Sequence, residues 1–485
     1  MVKAAQEHGA YSKRVRELCE AAVDAAVGAG ASYADARTVL RRDQRVATRN
    51  HQPDDVSDVE QNGIGVRVLV GGAWGFACTR ALDEPAARET ARRAVAFASA
   101  SPGRHARTLA RIEPARGEWR TPVAIDPFSV SVADKIEHCL RAEGELRRDD
   151  VKVTEAFVRA RREEKWFVSS DGASTFQELV ECGGGIDALA VAGDAYQIRS
   201  YPSQHDGSTA QAGWEFVLEL NFEREAPRVS EQAAALLRAD ACPSTVTTVV
   251  LDSDQMELQV HESVGHPTEL DRVLGAEAAY AGTSLLKPVD LGTLRYGSEL
   301  MNVTADATTP RGLGTFAWDD EGVPAGRRAI VEDGVLSGWL DSRELGGGGF
   351  MRADGWARMP LVRMTNLHLE PGSGSFEELL DGVDEGVYLE TNKSWSIDDK
   401  RLNFQFGTQV AWEIRDGRLG RMLRDATYTG VTPTFWATLD AVAGPEAWKL
   451  NGLTNCGKGQ PGQSARVSHG ASPCRFRDVR VGVRA

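Results

Sequence analysis

The sequence lacks long hydrophobic runs, basic blocks and a regular cysteine pattern, and each absence excludes a class of protein. No run approaches the ~18 apolar residues that a membrane-spanning helix needs. The chain has 56 Lys and Arg against 70 Asp and Glu, a net charge of −14, and offers no cationic face for nucleic acid or an anionic membrane surface. Its seven cysteines are scattered and odd in number, which favours buried thiols or ligands over a disulfide framework. We therefore expect neither nucleic acid nor a membrane as a partner.

What is present is the composition of a folded chain with more than one core. Apolar residues make up 42% and charged residues 26% of the 485 positions, which is typical of a globular protein. One core rarely serves so long a chain, so two domains of roughly 200–250 residues are expected. The start of the chain, from Met1 to His8, leads into a charged helix without the apolar segment of a secretory signal. We expect a cytoplasmic location.

The first half of the chain alternates helical patterns with strand-like runs. Helical spacing of apolar residues covers residues 13–29, 84–100, 133–148 and about 229–239. Alternating strand patterns cover residues 34–49, 63–70, 73–79, 152–161, 164–170, 185–192 and 195–201. The run from Gly63 to Trp74 matches the run from Gly185 to Tyr196 at a constant offset of 122 positions, which predicts an internal duplication of a helix-plus-hairpin unit. A chance likeness between two hairpins is the alternative.

The second half is richer in strands. A continuous apolar strand is predicted over residues 245–251, and Asp333-Gly334 and Asp416-Gly417 each predict a hairpin turn. Glycine-rich loops are predicted at Gly346–Gly349 and from Gly452 to Gly470, and one conspicuous helix at residues 253–274. A boundary near Cys242-Pro243 separates an N-terminal α+β domain, residues 1–240, from a β-rich domain, residues 241–485. The predicted fold class is α+β.

One segment within the predicted helix combines two histidines with a glutamate. It reads His261-Glu262-Ser263-Val264-Gly265-His266. Neutral imidazoles bind zinc, and a carboxylate beside the metal can take a proton from water. The i,i+5 spacing separates the two rings by about 140° on a regular α-helix, so we expect a local π-bulge, or a helix end at Gly265, to bring both rings to one metal. Two histidines that only satisfy local hydrogen bonds are the alternative.

A catalytic zinc usually takes three protein ligands and leaves a fourth position for water. The candidates for the third ligand are Cys456, Cys474, His368, His469 and nearby acids such as Glu269. Cys456 lies in a polar, glycine-rich stretch with a lysine two residues on, where a thiolate is favoured. Cys474 follows a proline and opens an alternating segment, which favours packing. The local chemistry leaves the choice open.

Four segments together resemble the TldD/PmbA (TldE) family of peptidases, on its TldD side. They are the motif from His261 to His266, the C-terminal Cys456-Gly457-Lys458, the stretch from Asp319 to Pro324, and Arg363-Met364-Thr365-Asn366. Any one of them alone is weak, and the likeness extends over essentially the whole chain. The residues from Pro267 to Arg272 differ from the glycine-rich continuation of some members, which leaves the subgroup and the substrate open.

The resemblance implies a zinc peptidase that acts on small or unfolded peptides in a cavity formed by dimerisation. It implies one zinc per chain held by His261, His266 and Cys456, with Glu262 as the general base. The partner it implies is a PmbA/TldE-type paralogue that lacks the metal motif, and pairing of the chain with itself is the alternative. The choice of zinc over another divalent metal rests on the softness of the ligands.

Two other functions compete with this interpretation. In one, Cys456 is the nucleophile of a thiol hydrolase, which leaves the glutamate after His261 unexplained. In the other, the zinc is structural and the chain is a non-catalytic binding or maturation subunit, which has no need of Glu262. If the chain is a peptidase, an extended peptide could add to a strand edge near Tyr428–Trp436. A core strand with a turn there is the alternative.

Overall fold

The computed structural model describes residues 2–101, 107–204, 207–280 and 282–482. Its first half runs α1 (Val2–Gly28), β1 (Tyr33–Arg49), β2 (Gln52–Val70), β3 (Ala73–Thr79), α2 (Glu84–Ala100), β4 (Arg116–Arg120), α3 (Val132–Glu145), β5 (Val151–Ser169), β6 (Ser174–Ala192), β7 (Ala195–Tyr201), β8 (Ser208–Ala210), α4 (Trp214–Leu220) and α5 (Phe222–Leu236). The predicted helices and most of the predicted strands are therefore present.

These strands form one sheet in the order β3-β2-β1-β5-β6-β4, with β7 and β8 also paired to β6. Every pairing is antiparallel except that of β4 with β6. Helices α1 and α2 bury small apolar side chains against β1–β3, and α3, α4 and α5 do the same against β5 and β6. The helices therefore cover the sheet in two groups, each with its own apolar cluster.

The two hairpins that the repeat predicts have the same register. Ile64 pairs with Thr79, and Ile186, 122 positions later, pairs with Tyr201. The first turn, Gly71-Gly72, has φ values of 57° and 81°, which a two-residue turn of this kind requires and glycine adopts without strain. The helix-plus-hairpin repeat is thus a feature of the fold.

One predicted break in the sheet is wrong. The sequence pattern places two strands at residues 152–161 and 164–170, whereas β5 runs unbroken from Val151 to Ser169. Charged residues fill and border the expected gap, and side chains of β1 bind two of them: Asp43 binds Arg161 at 2.5 Å, and Arg41 binds Glu163 at 2.7 Å. Cross-strand ion pairs allow a polar run to stay in a central strand.

The second half continues with β9 (Asp240–Ala241), β10 (Thr245–Leu251), α6 (Ser253–Val260), α7 (Leu270–Val273), β11 (Val303–Asp306), β12 (Arg327–Glu332), β13 (Val335–Leu336), β14 (Met351–Arg352), β15 (Leu361–Val362), β16 (Asn366–Leu369), α8 (Phe376–Asp381), β17 (Glu385–Ile397), β18 (Asn403–Arg415), β19 (Arg418–Arg424), β20 (Thr427–Val431), α9 (Thr432–Ala437), β21 (Leu439–Val442), β22 (Lys449–Lys458), β23 (Gln463–Ala471) and β24 (Cys474–Val481). Both predicted Asp-Gly hairpins are present, as β12–β13 and β18–β19. No helix in the described part of the chain is both long and apolar enough to cross a membrane.

Two sheets of this half enclose α6. One has the order β17-β10-β24-β20-β18-β19-β9, with β21 paired to β24, and the other has the order β13-β12-β11-β16-β23-β22. Helix α6 packs against β17 of the first sheet and against β16, β22 and β23 of the second. A single large apolar cluster joins the two sheets and includes Met256, Val260 and Val264. The helix that carries the metal motif is therefore fixed from both sides.

One further expectation for this half is wrong, and at a second place the alternative of a core strand with a turn is the one present. The glycine-rich stretch from Gly452 to Gly470 is mainly the hairpin β22–β23 and not a loop. The candidate peptide-binding edge at Tyr428–Trp436 is core, because β20 turns directly into α9 and Tyr428, Phe435 and Trp436 are buried. In both places tertiary contacts decide the structure, and local composition does not reveal them.

Candidate metal centre

The chain changes its helical geometry at the metal motif. Helix α6 ends at Val260, a π-helical turn covers His261–Gly265, and a 3₁₀ turn covers His266–Thr268. The His266 N–H donates to the His261 carbonyl five residues earlier. This wider turn brings residues i and i+5 onto one face, as the spacing predicts.

Contacts specific to this segment hold the π-turn in place. A Cβ built at Gly265 would lie 2.1 Å from Met364 Sδ, so glycine is needed for the close approach. The Tyr296 hydroxyl donates to the Ser263 carbonyl at 2.5 Å, and Trp436 Nε1 donates to Ser263 Oγ at 2.9 Å. Such bonds satisfy polar groups of the irregular turn that are buried in the core.

The turn brings both histidine rings to the cysteine of β22. The ring centroids of His261 and His266 are 4.8 Å apart, and Cys456 Sγ lies 3.8 Å from His266 Nε2. The ligand atoms of these three residues all lie within 4.8 Å of one another, and all three side chains are buried. Among the described residues, these three side chains lie close enough together to hold one metal ion.

Hydrogen bonds determine which ring nitrogen of His261 and of His266 is available to bind an ion. His469 Nδ1 donates to the Leu367 carbonyl at 3.1 Å, so its Nε2 accepts, at 2.7 Å, the proton of His261 Nδ1. His266 Nδ1 lies 3.0 Å from Glu269 Oε2 and donates to it. The Nε2 lone pair of each ring is thus left for an ion, in the arrangement that metal-binding histidines usually show.

The charge state of the donors also suits a metal. Burial lowers the pKa of His261 to about 4, so this imidazole is neutral at physiological pH. Burial alone would raise the pKa of the Cys456 thiol, but the charge of Arg363 and the contact with His266 outweigh it and bring the pKa below 9.0. Metal ligands must be deprotonated, and the surroundings of both groups favour that form.

Glu262 follows the first histidine and faces a cation. Its side chain is buried, and Arg401 Nη1 lies 2.5 Å from its Oε2. Burial tends to raise the pKa of this carboxyl, but His261, His266 and Arg401 together bring it below its usual value. Because His261 is neutral at pH 7, the permanent charges of Arg401 and Arg272 are the contributions that are certain to persist there. Glu262 is therefore ionised in the folded chain.

The remaining candidates for the third ligand lie elsewhere or have another role. His368 Nε2 bonds Thr309 Oγ1 at 2.8 Å, and Cys474 bonds the Ser472 carbonyl while burial raises its pKa. His469 and Glu269 contact the two ring Nδ1 atoms and orient the ligands. Sequence reasoning thus named every residue of the cluster but left its third member open.

Sequence reasoning missed the cations around the cluster. Arg401 reaches Glu262 from a turn 139 positions away, and Arg363 donates to the Cys456 carbonyl. Lys458, expected to act on the thiol, instead binds Glu269 Oε1 at 3.3 Å and Asp271 Oδ1 at 2.7 Å. No local signal marks these contacts, because each depends on how distant segments fold together.

Comparison with known proteins agrees with this architecture. Models of three domains of one family match the chain: PmbA/TldA metallopeptidase domain 1 over residues 34–98, the central domain over residues 125–239, and the C-terminal domain over residues 244–483. The last of these contains the whole candidate site.

Two similar curated proteins and one solved structure extend the comparison. "Metalloprotease MJ0996" of Methanocaldococcus jannaschii is 28% identical over 91% of this chain and 95% of its own length. A protein of Archaeoglobus fulgidus named "Metalloprotease" is 31% identical over 76% of this chain and 81% of its own length. The crystal structure of TldE from Thermococcus kodakarensis has a TM-score of 0.73 at 14% identity, over 96% of this chain and all of that one. At that identity the structural likeness concerns the fold.

Proposed function

The chain belongs to the PmbA/TldD family of metallopeptidases, and from this premise we propose that it is a zinc-dependent peptidase that hydrolyses small or unfolded peptides. In this proposal His261, His266 and Cys456 hold one zinc and Glu262 is the general base. The observation that carries it is the convergence of three oriented donor atoms beside an ionised carboxylate on the residue next to one of them.

The donor set fits zinc better than it fits other common ions. Two neutral imidazoles and a thiolate are the ligands that zinc favours, whereas magnesium and calcium prefer oxygen. Zinc bonds of about 2.0–2.3 Å place ligand atoms roughly 3.5 Å apart, so small side-chain rotations close the cluster, whose atoms lie within 4.8 Å. Three protein ligands leave one position for water or substrate.

The chain's own residues then supply the proton transfers. When bound, zinc supplies Lewis-acid activation of water and of the scissile carbonyl. Glu262 accepts the proton of the attacking water and passes it to the leaving amine, and Arg401 keeps its carboxylate oriented. A carboxylate of low pKa suffices for this relay because the amine that finally takes the proton is much more basic.

The burial of the site limits the substrate. His261, Glu262, His266 and Cys456 are each no more than 6% exposed. A folded protein surface cannot reach atoms so enclosed, whereas a short or unfolded peptide can. This supports small or unfolded peptides as the substrate class.

We also propose that the chain works as a dimer, with a PmbA/TldE-type paralogue or with a second copy of itself. Its full-length structural likeness to TldE supports a partner of the same fold. The molecular mass in solution, of the chain alone and after mixing with such a paralogue from the same cell, tests this directly.

The peptidase proposal is tested by metal removal and return. The zinc-loaded chain is incubated with a set of quenched fluorescent peptides, then stripped with a chelator and reloaded with zinc. Hydrolysis should disappear with the metal and come back with it. A His266→Ala variant purified in parallel controls for contaminating proteases. Activity that survives the chelator would favour a thiol hydrolase, and a zinc-loaded chain that cleaves no peptide, alone or with the paralogue, would favour a non-catalytic subunit.

A further inference from the structure

A pocket adjoins the metal centre on the side of α6. The space in it that a water-sized sphere can occupy is about 40 Å³, and His261 and His469 are part of its lining. The other polar side chains in its lining are Ser203, Asp254, Glu257, Asn392 and Asn451. The pocket therefore opens beside a metal ligand and offers two carboxylates and two amides.

Glu257 is the unusual member of this lining. Its side chain is only 5% exposed, and its Oε1 has no hydrogen-bond partner among the residues that the structure describes. Asn451 supports the carboxylate, and the cation that acts on it among the described residues is Lys449, an exposed residue. A buried carboxylate with an open oxygen is costly unless something else completes it.

The charges around Glu257 increase that cost. Burial, and then the negative charges of Asp254 and Asp252, raise the pKa of Glu257 well above its ordinary value. Asp254 lines the same pocket and accepts the Asn392 N–H at 3.2 Å. Among the described residues of the lining, Asp254 and Glu257 are the side chains that carry a charge when ionised, and that charge is negative. The ligand that such a lining accommodates is a cation.

The position of Glu257 relates the pocket to the reaction. It precedes His261 by four residues on α6, so the two side chains lie on the same helix face about 6 Å apart along the axis. That spacing is close to the length of a short aliphatic side chain or of two extended residues, at about 3.3 Å each. A cationic nitrogen at Glu257 would leave a neighbouring carbonyl within reach of the metal ligands.

We propose that Glu257 and Asp254 form a subsite that binds an ammonium group of the peptide substrate next to the metal centre. The inference deepens the proposed peptidase function and rests on it for the identity of the ligand. The same chemistry has two sources, the α-ammonium at the N-terminus of a peptide and the side-chain ammonium of a lysine beside the cleaved bond. The carboxylates pair with the ammonium, and Asn392 and Asn451 have amide groups in the same lining.

Binding tests the subsite separately from catalysis. The zinc-loaded Glu262→Gln chain, which should hold peptides without cleaving them, is titrated by calorimetry with three forms of one short C-terminally amidated peptide. The forms are a neutral sequence with a free N-terminus, the same sequence N-acetylated, and an N-acetylated form with lysine in place of norleucine. At least one cationic form should bind about tenfold more tightly than the neutral form, as a charge-assisted hydrogen bond provides.

The Glu257→Gln change in the same background should reduce that preference to less than about twofold and leave the zinc content unchanged. Gln has the shape of Glu, so the fold should persist, and Asp254→Asn is a second variant in which the preference should also fall. Glu332→Gln, the same change on an exposed hairpin, should have no effect. Preference for the free N-terminus identifies the α-ammonium, and preference for lysine identifies the side chain.

Three results would overturn the subsite: no preference for either cationic form, a preference that survives Glu257→Gln, or a second zinc per chain that this change removes. A different result would defeat the peptidase proposal alone. In that case the charge-dependent binding is seen as expected, but the wild-type zinc-loaded chain cleaves none of the three peptides.

Discussion

Two regions of the molecule bury charged side chains, and they use them differently. One, here called the junction, joins the N-terminal sheet to the second half through buried ion pairs; its members are Asp35, Arg41, Arg67, Glu163, Lys165, Asp320 and Glu321. Arg67, for example, lies 2.7 Å from Asp35 and 3.0 Å from Glu321. In the junction each charge meets an opposite one, so the pairs serve to hold two parts of the chain together.

In the metal centre the buried charges support atoms that face an open position. Glu269 and His469 contact the Nδ1 atoms of His266 and His261, the two proposed ligands, and the three candidate donor atoms converge. The comparison teaches that burial of polar groups does not by itself mark a site. What marks it is the direction of the atoms that local hydrogen bonds leave available. Loss of a junction charge should therefore affect stability, and loss of a metal-centre group should affect metal and activity.

The largest effect is expected for Glu262→Gln in the metal centre. It removes the proposed general base, so kcat/KM for a cleaved peptide should fall by about 10²- to 10⁴-fold. The bound zinc and the thermal unfolding midpoint should stay nearly unchanged, which metal analysis and a thermal scan check. A variant that keeps its activity would show that another group takes the proton.

Arg67→Met should have the reverse effect: it should lower the stability of the fold and leave zinc binding intact. It leaves Asp35 and Glu321 buried without their cation, which should cost about 3–5 kcal/mol of unfolding free energy. The folded fraction should still bind zinc. Arg42→Met is the matched control, because its pair with Asp58 is exposed and should contribute less than about 1 kcal/mol. Urea unfolding followed by tryptophan fluorescence measures both, and equal costs would break the distinction between the two regions.

Acid should weaken the junction through Glu163. Burial tends to raise the pKa of this carboxyl, but Arg41 and Lys165 bring it down to about 2 from 4.5. Because the folded pKa is the lower one, its contribution is present above about pH 4.5 and is lost as the pH falls through 2; the shift corresponds to about 3 kcal/mol. Glu163→Gln should therefore destabilise the chain at neutral pH and much less near pH 3. A difference that is independent of pH would contradict this origin.

The smallest effect is expected for His469→Ala. It removes the acceptor that orients His261, so zinc affinity should fall by about 10- to 100-fold without loss of the ligand set. Competition with a zinc-binding dye measures the affinity. His368→Ala is the control, because this histidine is also buried and neutral, with a pKa lowered to about 4 by burial, but bonds Thr309. Equal losses in both variants would point to a general effect on the sheet.

Much of the fold could be predicted from local pattern. The Gly71-Gly72 turn and the two Asp-Gly hairpins depend on neighbouring residues, and all are present in the structure. The continuous strand β5 and the hairpin around Cys456 could not be predicted. There, cross-strand partners determine the conformation against the local composition.

The site was predictable where the chemistry is local. The i,i+5 spacing from His261 to His266 predicts the π-turn that brings the rings together, and this turn is present. The metal that the order His261-Glu262 predicts stays a prediction. Residue chemistry favoured Cys456 over Cys474 as the third ligand but left the choice among all the candidates open. The difference between the two cysteines lies in a distant arginine: Arg363 acts on Cys456, whereas burial alone raises the pKa of Cys474.

The measurement that tests the central claim most directly is zinc per chain, by elemental analysis, in the wild type and in two cysteine variants. The proposal predicts one zinc in the wild type, none in Cys456→Ala and one in Cys474→Ala, the matched buried thiol of the same half. Zinc that remains in Cys456→Ala would show that the third ligand is a different residue. A wild-type chain that cannot be loaded with zinc at all would contradict the metal centre itself.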